Sequence, residues 1–423
     1  MLAIHLIREK KEWVLERLAV KHFKEPELVE KIVQLDEQRR KLKTAQDNLL
    51  AEVNTASRAI GALMREGRKV EAEASKKAVA DLKAQLQPLE AELARAEQQQ
   101  QELLLKLPNL PAPEVPPGRS PEDNVVVREG GTIPETGPGA LPHWELAQQY
   151  DLMSLETGNK ITGSGFPVYK NRGAKLQRAL ISYFLDYNIA NGYTEYQPPL
   201  LVNEATAYGT GQLPDKEGQM YFVQEDGLYL IPTAEVPLTN IYRDEILKES
   251  ELPVRMTGYT PCFRREAGSY GKDVRGLNRV HQFDKVEVVQ LVHPAQSYAV
   301  LEQMVAHVEG LVQTLQLPYR ILRLCGGDMS FTSAMTYDFE IYSAAQKRWL
   351  EVSSVSNFET FQTNRMKIRY KDAEGRSQLL HSLNGSALAL PRIVACLLEN
   401  NQSPEGILLP EALHPYFGAD RIS

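Results

Sequence analysis

Three stretches of this chain combine residue types that could handle phosphate or carboxylate chemistry. The densest runs from Pro261 to Glu287, PCFRREAGSYGKDVRGLNRVHQFDKVE. From Arg264 to Arg279 the five basic residues Arg264, Arg265, Lys272, Arg275 and Arg279 face only two acids, Glu266 and Asp273. The pattern predicts a strand, a glycine-bearing loop and a returning strand from Val280 onward. A basic loop between paired strands suits a polyanion, because guanidinium forks match phosphate oxygens in bidentate geometry. An exposed charged hairpin is the competing reading.

The second stretch is Leu350-Glu-Val-Ser-Ser-Val355. As a regular strand it would put Glu351 and Ser353 on one face and Ser354 on the other. A carboxylate beside hydroxyls suits Mg²⁺, which takes oxygen ligands and bridges to phosphates, although most such stretches bind nothing. The third runs from His381 to Arg392, HSLNGSALALPR, into the apolar IVACLLEN. It reads as a polar strand, a small-residue turn and an apolar helix with Arg392 in its first turns. An arginine there can face a ligand held above the helix start; alone it is more often an ordinary surface charge.

Elements must hold these stretches together, and the first third of the chain has a different texture from the rest. Apolar residues recur every seven positions through Leu28, Leu35, Leu42, Leu49, Ala56 and Leu63, with Ile32, Val53 and Ile60 as a partial second stripe. After the polar break Arg65-Glu-Gly-Arg-Lys69, a stripe spaced by threes and fours follows: Val79, Leu82, Leu86, Leu89, Leu93, Ala96, Gln100, Leu103, Leu107. Two heptad runs around a glycine-bearing turn predict an antiparallel two-helix coiled coil. At about 1.5 Å rise per residue, each arm reaches roughly 55–60 Å. Pro88, between two seam leucines, is expected to kink or locally break the second helix. Arg39, Arg40, Lys41 and Lys43 cluster on the first helix, which by itself is the ordinary solvated face of a helix.

Residues 108–118, PNLPAPEVPPG, form a stiff proline-rich linker. Beyond it, helical stretches (174–190, 295–315) alternate with β-rich runs (227–231, 280–292, 349–355) separated by turns rather than regular crossover helices. That predicts an antiparallel α+β body, with domains over 1–107 and 108–423. Neither GxGxxG nor GxxxxGK[ST] occurs, so no dinucleotide fold or P-loop is signalled.

Of the 423 residues, 43% are hydrophobic and 24% charged, an ordinary globular balance. No apolar run approaches the roughly 18 residues of a membrane span. The N-terminus places its basic residues after a short apolar stretch, the reverse of a secretory signal. Cys262, Cys325 and Cys396 are far apart, which argues against disulfides and a thiolate zinc site and for a reducing, cytoplasmic setting. The net charge of −7 means that any contact with nucleic acid must come from local basic clusters.

The first and third stretches resemble motifs 2 and 3 of class II aminoacyl-tRNA synthetases, with the Glu-x-Ser-Ser strand between them in the family's order. Further residues resemble the seryl-tRNA synthetases in particular. Gly192-Tyr-Thr-Glu-Tyr-Gln-Pro-Pro199 is similar to motif 1, Thr233-Ala-Glu235 to a TAE serine-binding element, and the linker with Asp123-Asn124 and His143-Trp-Glu-Leu146 to the seryl group. The heptad arm resembles that group's tRNA-binding domain, so the likeness spans nearly the whole chain.

The resemblance implies a class II catalytic domain with an antiparallel sheet, a homodimer with Pro199 at its interface, and a cytoplasmic enzyme with no membrane partner. Its substrates would be ATP with Mg²⁺, L-serine and tRNA(Ser), and tRNA(Sec) where present. It carries ATP contacts onto Arg264, Arg265, Glu266, Val280, Phe283, Glu351, Val352, Ser353, Ser354 and Arg392, with Phe283 and Arg392 sandwiching the adenine. Arg279 would meet the terminal phosphates, making Arg264, Arg279 and Arg392 the catalytic arginines. Glu351 and Ser354 would ligate Mg²⁺. Thr233, Ala234, Glu235, Arg264, Glu287, Asn384 and Ser386 would bind serine. Lys272 and Arg275, with Arg39 and Arg40 on the arm, would approach the tRNA. The sequence departs from the family pattern at Val355, where cysteine is usual, at Met335, where lysine is usual, and over Phe358–Arg365.

Rival readings fit less well. Threonyl- and prolyl-type enzymes are expected to append an anticodon-binding domain after motif 3, where this sequence has only residues 393–423. Ligases acting on a carrier protein lack the long arm. A catalytically dead, RNA-binding scaffold is expected to have lost Arg264, Glu351 or Arg392.

Overall fold

The computed structural model describes residues 1–135, 137, 139–266 and 275–423. The chain divides into two compact units, Met1–Ala19 with Phe23–Pro108 and Val20–His22 with Asn109–Ser423.

The first unit is helical. Two short helices, α1 (Ile4–Glu9) and α2 (Lys11–Val20), precede the long pair α3 (Glu27–Arg65) and α4 (Lys69–Leu104). Gly67, at φ +76°, makes the reversal between the long helices in a region that other residues enter only with strain. The heptad residues line the seam: Leu28, Ile32 and Val53 from α3 and Val79, Leu93 and Ala96 from α4 are buried. Pro88 does not break α4, which runs unbroken on both sides of it. The lost backbone hydrogen bond is confined to one turn, and the flanking Leu86 and Leu89 remain half-buried on the seam.

A carboxylate is sunk into this unit. Asp36 is fully buried and pairs with Arg8 at 3.1 Å, Arg39 at 3.0 Å and Arg40 at 3.2 Å. Gln100 of α4 donates to it at 3.4 Å. Burial alone would raise its pKa, but the hydrogen bonds from Arg39, Arg8 and Gln100 outweigh that and hold it below the usual value.

The second unit is built on an eight-stranded sheet. In chain order its strands are β1 (Val125–Gly130), β2 (Thr194–Glu195), β3 (Val254–Phe263), β4 (Gln282–Val292), β5 (Tyr319–Arg323), β6 (Met335–Ser343), β7 (Arg348–Glu359) and β8 (His381–Ala389). The spatial order is β1-β5-β6-β7-β8-β4-β3-β2. Every neighbouring pair is antiparallel except β2 and β3. Helices α5 (Asn171–Ala190), α6 (Ser297–Thr314) and α7 (Leu390–Asn400) contribute to one large core with the apolar side of the sheet, including Leu176, Phe184, Val286, Val288, Met304, Phe339 and Val352. The free thiols of Cys262, Cys325 and Cys396 are all buried.

Two local expectations differ from the structure. The register of β7 against β6 slips between Phe339/Glu340, which face Ser353 and Glu351, so Val352 is an extra residue in a β-bulge. Strict alternation therefore fails at this point, and Glu351 lines the same cavity as Ser354 and Ser356. The small residues before Arg392 form no turn either. Gly385, Ser386 and Ala387 lie inside β8, and α7 starts directly at Leu390. Gly385 sits between β4 and β7, where an added Cβ would lie 3.0 Å from the Val355 side chain.

Removing Asp36 would leave three arginines around a buried void. Asp36→Ala should destabilise the helical unit by about 3 kcal/mol, the cost of breaking a buried ion pair from one side, read as a lowered unfolding midpoint. An unchanged midpoint would show that water already screens these contacts.

Candidate active site

The second unit encloses a cavity of about 650 Å³ on the side of β4 that presents Phe283, Lys285 and Glu287. Val286 and Val288, with the opposite parity, point into the core. The volume lies in the range of roughly 300–1,000 Å³ that small-molecule sites occupy.

One end of the cavity is cationic. Past the end of β3 the Arg264 backbone N–H donates to His281 O at 2.8 Å, closing the base of the loop. Its Nε donates to Pro232 O at 3.3 Å, and its guanidinium lies 5.3 Å from the Phe283 ring centroid. Across the loop base Arg279 pairs with Glu266 at 3.0 Å. Gln219 braces the same turn, accepting from Arg265 N at 3.0 Å and Glu266 N at 3.1 Å. In the first turn of α7, Arg392 donates from Nε to Asn278 O at 2.9 Å and from Nη1 to Glu351 O at 2.6 Å. Arg264, Arg279 and Arg392 thus all line one cavity, together with Glu266, Val280 and Phe283. Arg265 is exposed and lies outside the lining, because consecutive side chains of an extended segment point to opposite sides.

The other end is anionic and drier. Glu235 and Glu287 are 8% and 2% exposed, and a buried lysine, Lys285, lines the same recess. Its ammonium lies 2.6 Å from Glu287 and donates to Thr233 Oγ1 at 2.8 Å. Gln362, 1% exposed, donates to Glu235 Oε1 at 2.6 Å, and Ser386 donates to Glu287 at 3.4 Å. Burial first, and then the negative charge of Glu287, push the pKa of Glu235 up to about 7, against the opposing pull of Gln362, Lys285 and Asn384. Two carboxylates with one lysine leave a site that favours a further cation. The hydroxyl and amide groups of Thr233, Asn384 and Ser386 line the same space. Ala234 is buried in the core behind it and does not line the cavity.

Glu351, Val352, Ser353 and Ser354 of β7 line the cavity as well. Ser353 Oγ is committed to Ser386 O at 2.6 Å, whereas Glu351 is exposed. Asp338, opposite Ser354 on β6, has a buried Oδ1 with no hydrogen-bond partner. Burial, then Glu351, hold its carboxyl well above the usual range. An orphaned carboxylate oxygen beside Glu351 and Ser354 is the hard, oxygen-only donor set that suits Mg²⁺. Among the described residues no three His, Cys, Asp or Glu side chains form a metal site by themselves. A cation here would therefore complete its shell with substrate oxygens and water.

The remaining sequence candidates lie elsewhere. Arg39 and Arg40 belong to the helical unit and are engaged by Asp36. Arg275 stacks on Trp144, with 4.4 Å from Cζ to the ring centroid. Pro199 is exposed. Lys272 lies outside the described residues. The sequence reading passed over Lys285 and Gln362. Lys285 could have been found from its parity with Phe283 and Glu287, but no local signal marks Gln362, which is 127 residues from Glu235.

Comparison with known proteins adds a second line. A family model of the seryl-tRNA synthetase N-terminal domain matches residues 1–111. One of the tRNA synthetase class II core domain (G, H, P, S and T) matches residues 221–401. The serine–tRNA ligase of Salinibacter ruber is 52% identical over 424 residues, covering 100% of this chain and 99% of that one. The chain belongs to the seryl-tRNA synthetase family. It is accordingly a class II serine–tRNA ligase, an ATP-dependent enzyme. Two solved structures are similar over 100% of the chain and 99% of their own. They are seryl-tRNA synthetase from Pyrococcus horikoshii complexed with ATP (TM-score 0.90, 32% identity) and the cytoplasmic serine–tRNA ligase from Naegleria fowleri in complex with AMP (TM-score 0.87, 26% identity).

The elevated pKa of Glu235 has a direct kinetic reading. If Glu235 receives the ammonium of serine it must be ionised, so kcat/KM for serine should fall about tenfold per pH unit below its pKa and level off above it. Glu235→Gln should lower the plateau and remove the limb. A wild-type profile that stays flat from about pH 6 to 8 would separate Glu235 from amine binding.

Proposed function

We propose that this single cavity forms seryl-adenylate from L-serine and ATP, and that the enzyme then passes the seryl group to tRNA(Ser), and to tRNA(Sec) where that tRNA occurs. The observation that carries this reading is the placement of three arginines at one end of a cavity whose other end is a buried, net-negative, hydroxyl-lined recess. The ATP and AMP complexes of the Pyrococcus and Naegleria relatives support the nucleotide half.

On this reading the serine ammonium sits between Glu235 and Glu287, and its hydroxyl meets Asn384, Ser386 and the Thr233 region. Its carboxylate is drawn toward Arg264. Serine is too small to be selected by volume. A recess whose carboxylates and hydroxyls stay unpaired with the wrong ligand can reject it by a factor on the order of 10⁴. The adenine lies between Phe283 and Arg392, Arg264 holds the α-phosphate, and Arg279 the terminal phosphates. The serine carboxylate oxygen attacks the α-phosphorus, the bond to the bridging oxygen breaks, and pyrophosphate leaves. No protein nucleophile takes part. The contribution of the chain is placement of the reactants and neutralisation of charge that develops on the phosphates. Mg²⁺, held by Glu351 and Ser354, would supply Lewis-acid polarisation of the phosphoryl oxygens. A ribose hydroxyl of the tRNA terminus then attacks the seryl carbonyl, and AMP leaves.

The helical unit is proposed to be the tRNA-binding domain, over residues 1–107, with the catalytic domain over 108–423. Arg39 and Arg40 would contribute through the part of their charge that Asp36 leaves exposed, and Lys272 and Arg275 through the acceptor end. A homodimer through the segment ending at Pro199, working in the cytoplasm, completes the proposal. No helix among the described residues is long and apolar enough to cross a membrane.

Two measurements test this reading. In a panel of all twenty amino acids, ATP–pyrophosphate exchange should depend on serine, and absence of exchange with serine would refute it. Deleting residues 28–107 should leave exchange nearly intact and abolish aminoacylation of tRNA(Ser). Undiminished charging by the truncated enzyme would make the arm merely structural.

A further inference from the structure

His143 belongs to neither end of the cavity, yet it is fully buried and both of its ring nitrogens are engaged. Nε2 lies 2.8 Å from the backbone nitrogen of Leu277, and Nδ1 lies 2.7 Å from Glu399 Oε1. A peptide N–H can only donate, so Nε2 must carry the lone pair and Nδ1 the proton given to Glu399. Gln346 Nε2, 3.5 Å from Nδ1, is then a donor facing a donor, and its own bond goes to Glu399 Oε1 at 2.9 Å. The carboxylate also accepts from the His143 backbone N–H at 3.0 Å and from the Ser343 hydroxyl. One tautomer of one imidazole is therefore fixed by two partners, the Leu277 N–H and a Glu399 carboxylate that is itself held by Ser343 and Gln346.

The peptide it holds leads straight to the nucleotide end of the cavity. Gly276, at φ +64°, has no room for a side chain, since an added Cβ would stand 2.2 Å from His143 Nε2. After Leu277 comes Asn278, whose side-chain amide donates to Gln346 Oε1 at 2.9 Å and whose carbonyl receives Arg392 Nε at 2.9 Å. The same guanidinium reaches Glu351 O at 2.6 Å. A buried histidine in a hydrogen-bonded network is often just a satisfied core residue. This one differs in what it accepts: the backbone amide one residue before the carbonyl that orients Arg392.

We propose that His143 is a positioning residue for the nucleotide: by accepting the Leu277 N–H it fixes the Asn278 carbonyl, and that carbonyl aims Arg392 at the ATP site. The inference rests on the assignment of Arg392 to ATP. It gives the His143-Trp-Glu-Leu146 segment a task in the reaction that its distance from the substrates conceals.

The test uses the full-length enzyme, pyrophosphate exchange and two replacements that divide the imidazole's functions. His143→Asn puts an amide donor near the Nδ1 position and cannot reach Leu277. His143→Gln can place a carbonyl oxygen near the Nε2 position and accept the Leu277 N–H. His143→Asn should raise KM for ATP about tenfold, the scale of one buried hydrogen bond, and leave KM for serine within about twofold. His143→Gln should recover most of the ATP affinity. In an Arg392→Ala background, itself raised in KM for ATP, His143→Asn should add little, because both act through one guanidinium. If His143→Asn does not accumulate as folded protein, Gln346→Leu at a half-buried position interrupts the same line at Asn278 and must show the same ATP-selective rise. Equal rises in both KM values, a loss of kcat alone, or additive effects in the double variant would overturn the proposal. A normal KM for ATP in Arg392→Ala would instead remove the nucleotide assignment beneath it.

Discussion

Two nearly buried carboxylates line one end of this cavity, and much of the catalytic unit is arranged around their charge. Glu235 and Glu287 are nearly inaccessible to water, and the buried Lys285 ammonium is paired with Glu287. A buried charge without a partner is costly, and part of that cost appears as the pKa of Glu235, raised to about 7. The neighbouring donors reduce it without cancelling it: Gln362 to one carboxylate, Ser386 to the other, Asn384 beside them. On the proposed reading the serine ammonium supplies the missing charge, so recognition of the substrate and relief of the buried field are one event.

The sheet makes this arrangement possible. Strand β4 places Phe283, Lys285 and Glu287 on the cavity side and Val286 and Val288 in the core, so the same eleven residues both anchor the fold and present the chemistry. Its partners β3 and β8 bring Arg264 and Ser386 to either side. The bulge at Val352 brings Glu351 to the cavity that Ser354 also lines, so a carboxylate and a hydroxyl face one space.

What could be read from the sequence was whatever repeats locally. The heptads from Leu28 to Leu107 predicted the helical pair because a seam needs apolar residues every three to four positions. The arginine-rich stretch and the strand alternation after Val280 located one wall of the cavity for the same reason. What escaped was set by contacts distant in sequence. Gln362 meets Glu235 across 127 residues, and His143 meets Leu277 across 134. Asp36 interrupts the seam region with a charge that only its three arginines explain. The unbroken course of α4 through Pro88 and the extended path of Gly385–Ala387 show packing overriding local preference.

The central claim is that a buried negative recess waits for the amine of serine. Calorimetry with a non-hydrolysable seryl-adenylate analogue and its desamino counterpart, at a pH above the Glu235 pKa, addresses it directly. The account predicts that the amine-bearing analogue binds more tightly by a factor on the order of 10³ or more, since its absence leaves the buried carboxylates without that cation. Equal affinity for the two analogues would contradict it.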